Sequence, residues 1–315
     1  MSNKILTVNN LTKKYDDNIV LSEINLEIEE GKITTILGKN GSGKTTLIKL
    51  LLNMIHPTKG NIFFKNENIK NLKHDYYQHT AAVLESVDNL YYYLTGKQNI
   101  EYFLSLQKSK LKYNSPHIQK MIKEFNLSQS INKPCGNYSR GMLQKLSLII
   151  ALMNKPSILF LDEPTLGLDF ESTETICNKI KESSCDNHQT IILTSHQANI
   201  IEKLSDNIII IDKAKILFDG LYGDLKKMNS NHKNFFYIVM NLTENTEKII
   251  KELQLKYNYT FLNNHSIKFY DLTSSDTQKI LSDLDDNMSS IQEIKKAQNS
   301  LENILKDLYS GGCYD

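Results

Sequence analysis

Residues 38–46 read GKNGSGKTT. Gly38, Gly43, Lys44 and Thr45 satisfy the spacing G-x-x-x-x-G-K-S/T. In that pattern glycines let backbone N–H groups surround a polyphosphate, lysine reaches its terminal phosphates and the hydroxyl ligates Mg²⁺. Gly38, Asn40, Gly41, Ser42, Gly43, Lys44, Thr45 and Thr46 are therefore the candidate phosphate cradle. ITTIL (33–37) before the loop reads as a buried strand. After it, Leu47, Leu50, Leu51 and Met54 recur at i, i+3, i+4 and i+7, the apolar stripe of a helix packed on a sheet. A strand, a glycine loop and a helix in succession predict an α/β fold.

Working outward, SILFL (157–161), TIILTS (190–195) and NIIII (207–211) are further strand-like runs alternating with helical patterns, as in a domain with a largely parallel sheet. The second of these four strands ends in two carboxylates: ILFLDE (158–163) delivers Asp162 and Glu163 to the end of a buried strand. Asp162 is positioned to hold Mg²⁺ through water, as in P-loop nucleotide hydrolases, and Glu163 to act as general base on the attacking water. Residues 97–130 turn helical and polar with a break at Ser115-Pro116, so a helical subdomain is inserted at about 86–155. After GDLKK (223–227) a β-α-β-β-α-β order with a last helix near 299–309 predicts a small ferredoxin-like α+β domain. The expected domains are 1–225 and 226–315.

Composition narrows the class. The formal charge of the 315-residue chain is +1, which gives no electrostatic footprint for nucleic acid, so none is expected as a partner. Cys135, Cys177, Cys185 and Cys313 are scattered without metal-ligand spacing and read as reduced thiols. The N-terminus lacks a signal-peptide pattern, and runs such as LSLIIALM (146–153) are too short to span a bilayer. If the protein works at a membrane, another chain must cross it.

Four further stretches carry a resemblance. YSRGMLQKL (138–146) resembles the LSGGQ signature of ABC transporter ATP-binding subunits and precedes the 158–163 strand at the family's short distance. Tyr138 stands there for Leu, Arg140 for the first Gly and Met142 for Gln. Ser139 is a good helix N-cap, Gly141 permits close approach, and a helix N-terminus forms an anion site. SH (195–196) ends a strand as the family's switch histidine does, LGLD (166–169) matches the loop after its catalytic glutamate, and Tyr15 in LTKKYDD occupies the place of its adenine-stacking aromatic. The resemblance covers residues 4 to about 225. It implies a P-loop NTPase (ABC ATPase) domain in which two such domains sandwich two MgATP, each site completed by the partner's Ser139, Arg140, Gly141 and Asp169, with His196 near the γ-phosphate. Packing remains open for Tyr15, and leftover composition for Arg140, which is the chain's single arginine.

Glu85 departs from the family's usual glutamine. It adds a carboxylate near Asp162 and Glu163 that Mg²⁺ and Lys44 must offset, and is expected to ligate metal or assist catalysis. Similar glutamate-bearing loops occur in ATPases of drug and antimicrobial-peptide exporters. Tyr91 to Tyr93 are candidates for a groove receiving a helix of the membrane subunit, with core or edge-strand packing equally open. QNSLENILKDLYSGG (298–312) resembles the ending of the ABC-2 exporter branch. Together these imply an ATPase at the cytoplasmic face of the membrane, driving export of a peptide, drug or lipid-like substrate. Its implied partners are integral-membrane permease subunits and a second ATP-binding subunit, in a homo- or heterodimer. An importer ATPase, a soluble mechanoenzyme acting on ribosomes or nucleic acid, and a slow ATP-gated immunity or binding module are the competing readings.

Overall fold

The computed structural model describes residues 3–84, 90–228, 236–241, 247–263, 266–284, 291–296 and 301–310. Two compact units divide the chain, Met1–Tyr222 and Gly223–Asp315.

The first unit opens with an antiparallel ribbon, β1 (Lys4–Tyr15) and β2 (Asn18–Glu29). In β2, buried Ile24, Leu26 and Ile28 alternate with exposed Glu23, Asn25 and Glu27, the period of a strand with one face on a core. β3 (Ile33–Gly38) and α1 (Lys44–Leu51) follow, then β4 (Lys59–Phe64) and β5 (Glu67–Asn68), which extend the ribbon into a four-stranded sheet of order β2-β1-β4-β5. This second sheet adds to the largely parallel one expected. β1 pairs with β2 through several register shifts, and they break the alternation of β1, where buried residues fall side by side as in Ile5-Leu6 and Leu11-Thr12, while β2 keeps its period. Leu47, Leu50 and Leu51 of α1 are buried as expected, but Met54 lies past the helix end and is 56% exposed.

The short helices α2 (Ile69–Leu72) and α3 (His74–His79) lead to β6 (Thr80–Val83) and the helical insertion. There α4 (Gly96–Leu106) starts at a capping box in which Thr95 and Gln98 satisfy each other's backbone N–H groups. The Ser115-Pro116 break is the start of α5 (Pro116–Glu124), with Ser115 as N-cap and proline at the first position, where its missing N–H is harmless. α6 (Arg140–Leu152) returns the chain to β7 (Ile158–Asp162). Then come α7 (Phe170–Asn187), β8 (Thr190–Thr194), α8 (Ala198–Leu204), β9 (Asn207–Asp212) and β10 (Lys215–Leu221), and α9 (Tyr222–Met228) begins at the last residue of this unit.

The central sheet has order β10-β9-β3-β8-β7-β6, parallel except for β10. Every residue of β3, β7, β8 and β9 is buried, which is why these segments read as unbroken apolar runs: both faces of the sheet are covered. Side chains alternate between two cores. Ile158, Phe160 and Ile192 join Leu47 and the ribbon on one side, while Leu159, Leu161, Ile191 and Leu193 join Ile100, Leu146 and Ile176 on the other.

The second unit runs β11 (Phe236–Asn241), α10 (Glu247–Lys256), β12 (Asn258–Asn263), β13 (Ser266–Leu272), α11 (Ser274–Leu284), β14 (Ile291–Lys296) and α12 (Leu301–Ser310). Its sheet order, β12-β13-β11-β14, with all three pairings antiparallel, is that of a ferredoxin-like domain. Ile238, Met240, Ile250, Leu253, Ile267, Phe269 and Ile280 form its core. Among the described residues no helix is long and apolar enough to cross a membrane.

Candidate active site

The glycine loop sits where β3 hands over to α1. A β-carbon added at Gly38 would meet Ile211 O at 2.4 Å and Ser42 Oγ at 2.4 Å, so only glycine lets the strand end lie this close to its neighbour. Gly43 caps α1 at φ +107°, a conformation L side chains rarely adopt, and an added β-carbon would press on Leu21 at 2.8 Å. The helix therefore begins at Lys44 with its first N–H groups facing the loop, a ready anion site.

The Lys44 ammonium donates to Gly38 O at 2.7 Å and Lys39 O at 3.1 Å. Burial pushes its pKa down, opposed by the charges of Glu163 and Asp162. The Thr45 hydroxyl donates to Asp162 Oδ2 at 3.3 Å. Asp162 Oδ1 accepts from the Thr194 hydroxyl at 2.6 Å, and the same Thr194 oxygen accepts from the Glu163 N–H at 3.0 Å. Glu163 has φ +50° and its side chain is 8% exposed, with Oε1 3.5 Å from His196 Nε2. Half-exposed His196 can turn toward a ligand, whereas the Glu163 carboxylate is held inside.

Asn40, Gly41, Gly43, Lys44, Thr45, Thr46, Asp162, Glu163 and His196 line one cleft of about 650 Å³, with Val20 and Leu166 supplying apolar surface. Buried Ser42 packs against Gly38, and its hydroxyl has no hydrogen-bond partner among the described residues. An orphaned hydroxyl, a desolvated ammonium and the oxygens of Thr45 and Asp162 make a hard, polar donor set. That set fits a polyphosphate with Mg²⁺, which takes few protein ligands and keeps its waters. Thr45 and Asp162 are the residues that would hold the metal.

The other expected residues fall elsewhere. Tyr15 ends β1, 46% exposed, with the Lys13 ammonium 4.7 Å from its ring centroid, and does not line the cleft. Ser139, Arg140, Gly141 and Asp169 are also absent from the cleft and gather around the starts of α6 and α7. Ser139 Oγ accepts from Met142 N at 3.3 Å, and Asp169 accepts from Ser172 N at 2.8 Å and Ser172 Oγ at 2.9 Å. These bonds hold the Asp169 carboxyl below its usual pKa. A β-carbon added at Gly141 would lie 2.8 Å from Ser172 Oγ, and one at Gly167 would lie 2.8 Å from Arg140 Nη1, so the start of α6 packs closely on α7 and on the loop before it at these two glycines. Glu85 lies outside the described residues. Sequence reasoning passed over Thr194, whose only signal was a hydroxyl in an apolar strand two residues before His196.

A family model described as ABC transporter matches residues 21–166. The bacitracin transport ATP-binding protein BcrA of Enterococcus faecalis is 29% identical over 310 residues, covering 98% of this chain and 97% of the relative. The protein of that name from Bacillus licheniformis is 32% identical over 235 residues, 73% and 74% of the two chains. A spermidine/putrescine import ATP-binding protein PotA of Mycoplasma mycoides is 30% identical over 216 residues, 69% of this chain and 61% of that one. Among solved structures, a dimeric post-hydrolysis ATP-binding cassette bound to ADP and phosphate superposes with TM-score 0.61 at 24% identity, covering 69% of this chain and 98% of the other.

Proposed function

This chain belongs to the ATP-binding subunits of ABC transporters, and we propose that it closes with a second such subunit on two MgATP to drive export through separate membrane subunits. The observation that carries the reading is the division of the site. The phosphate loop, Asp162, Glu163 and His196 line one cleft, while Ser139, Arg140, Gly141 and Asp169 cluster where none of them lines it. A cleft that holds the phosphate loop and an anion-ready helix start elsewhere are complementary halves, so each copy supplies what the other lacks.

In the closed state the Lys44 ammonium exchanges the carbonyls of Gly38 and Lys39 for the terminal phosphates of ATP. Mg²⁺, when bound, neutralises charge on the β- and γ-phosphates. Glu163 takes a proton from the attacking water as its oxygen bonds the γ-phosphorus, and the bond to the bridging oxygen breaks with its electron pair leaving on ADP. His196, 3.5 Å from Glu163, orients the γ-phosphate, and Arg140 brings a fork-shaped cation to the partner's phosphates.

Export is supported by the reach of the BcrA match, which extends over nearly the whole chain, second unit included. The importer match covers 69% of this chain, and the nucleotide site does not encode direction. The membrane subunit is assigned to an aromatic groove of about 570 Å³ between β6, α4 and α6. Tyr91 and Tyr102 line it edge to face at 4.7 Å, their hydroxyls joined at 3.0 Å, while Tyr93 is 97% exposed. Aromatic rings with polar tips suit a protein interface that receives a helix of the membrane subunit.

The deciding experiment is purification of the native protein in mild detergent. A stoichiometric polytopic partner, lost on Tyr102→Asp, supports the transporter reading, and a partner-free protein bound to ribosomes overturns it. Tyr15 is assigned to adenine. Stacking worth about 1 kcal/mol predicts a roughly fivefold weaker ATP Kd for Tyr15→Ala with kcat unchanged, read by nucleotide titration. An unaltered Kd returns Tyr15 to a packing role.

A further inference from the structure

We infer that Thr194 is a positioning residue for hydrolysis, its one hydroxyl fixing both the metal-side carboxylate and the general base. The inference rests on the roles proposed above for Asp162 and Glu163. Thr194 lies directly opposite Asp162 in the parallel β7–β8 register and is fully buried. Its oxygen spends its single proton on Asp162 Oδ1 at 2.6 Å and a lone pair on the Glu163 N–H at 3.0 Å. A carboxylate cannot donate and an amide N–H cannot accept, so the direction of both bonds is fixed and the oxygen cannot swap partners.

Two consequences follow from that polarity. Asp162 keeps Oδ2 turned toward Thr45, 3.3 Å away, so the two oxygens assigned to the metal stay side by side. Glu163, meanwhile, is held at φ +50°, a region disfavoured for any residue with a β-carbon, and this turn brings its carboxylate to 3.5 Å from His196. Two residues beyond Thr194, the same chain segment delivers His196. One hydroxyl thus ties the base, the metal-side carboxylate and the histidine-bearing segment into a single rigid unit. The other threonine of β8, Thr190, uses its hydroxyl far from the site, accepting from Gly31 N at 3.0 Å.

The test compares Thr194→Val, which keeps the shape and removes the hydroxyl, with Thr194→Ser, which keeps the hydroxyl. Thr194→Val is expected to lower kcat about 10- to 100-fold, the usual cost of removing an outer partner of a metal-side ligand. ATP affinity measured in EDTA should stay within about twofold, because phosphate-loop contacts are untouched. In the nucleotide-free protein, hydrogen exchange at the Glu163 amide should accelerate about tenfold in Thr194→Val and return in Thr194→Ser. Wild-type kcat and exchange in Thr194→Val overturn the inference, as does a Thr194→Ser that is as impaired as Thr194→Val, including where the valine variant fails to fold. Glu163→Gln is run alongside. An inactive Glu163→Gln with a normal Thr194→Val removes Thr194 alone, whereas an active Glu163→Gln removes the reading of the site on which this inference stands.

Discussion

Glu163→Gln leaves ATP binding intact and lowers turnover by about 10²- to 10⁴-fold, the range supplied by a positioned general base. The carboxylate is 8% exposed, 3.5 Å from His196, and its backbone is pinned by Thr194. Glutamine preserves shape and removes the basic oxygen, so the substitution isolates proton transfer. With hydrolysis blocked, ATP should hold two subunits together. Size-exclusion chromatography with ATP is expected to show a dimer that the wild type forms only transiently. A variant that turns over at the wild-type rate removes Glu163 from the chemistry, and one that is inactive yet stays monomeric with ATP removes the two-subunit site.

Lys44→Ala is expected to weaken ATP binding about 10- to 100-fold, since hydrogen bonds from a charged donor are worth about 1.5–3 kcal/mol each. Turnover should fall further, because the ammonium also meets charge that develops in the transition state. The fold should tolerate the change well. Burial disfavours the charged form of Lys44, so the folded protein keeps this ammonium at an energetic cost, and alanine relieves it. The measurements are a nucleotide titration and a thermal melt. Weak binding with an unchanged or raised Tm supports the assignment, and unaltered ATP affinity refutes it.

The phosphate loop and the strands beside it were legible because their chemistry is local. The glycines at 38 and 43 are needed for reasons a spacing rule captures, a crowded strand end and a positive φ. β3, β7, β8 and β9 announce themselves as apolar runs because both faces of their sheet are covered. The antiparallel sheet escaped notice although β2 alternates cleanly, because bulges break the period of β1, its partner, and Met54 was assigned to a helix that ends at Leu51. Thr194 was illegible for another reason: its role depends on facing Asp162 across a register that no single segment encodes. Likewise nothing in the spacing of Arg140 and Gly167 says that the guanidinium lies over that glycine.

The alternation of β7 between two cores bears on where motion can occur. Ile158 and Phe160 point into one apolar mass and Leu159 and Leu161 into the other. A slip of β7 by a single residue would exchange the two sets and turn Asp162 away from Thr194 and Thr45. The carboxylates therefore stand on an anvil, fixed along the strand by packing on both sides. Any stroke that accompanies ATP turnover has to be delivered by parts outside this sheet and received by it without yielding.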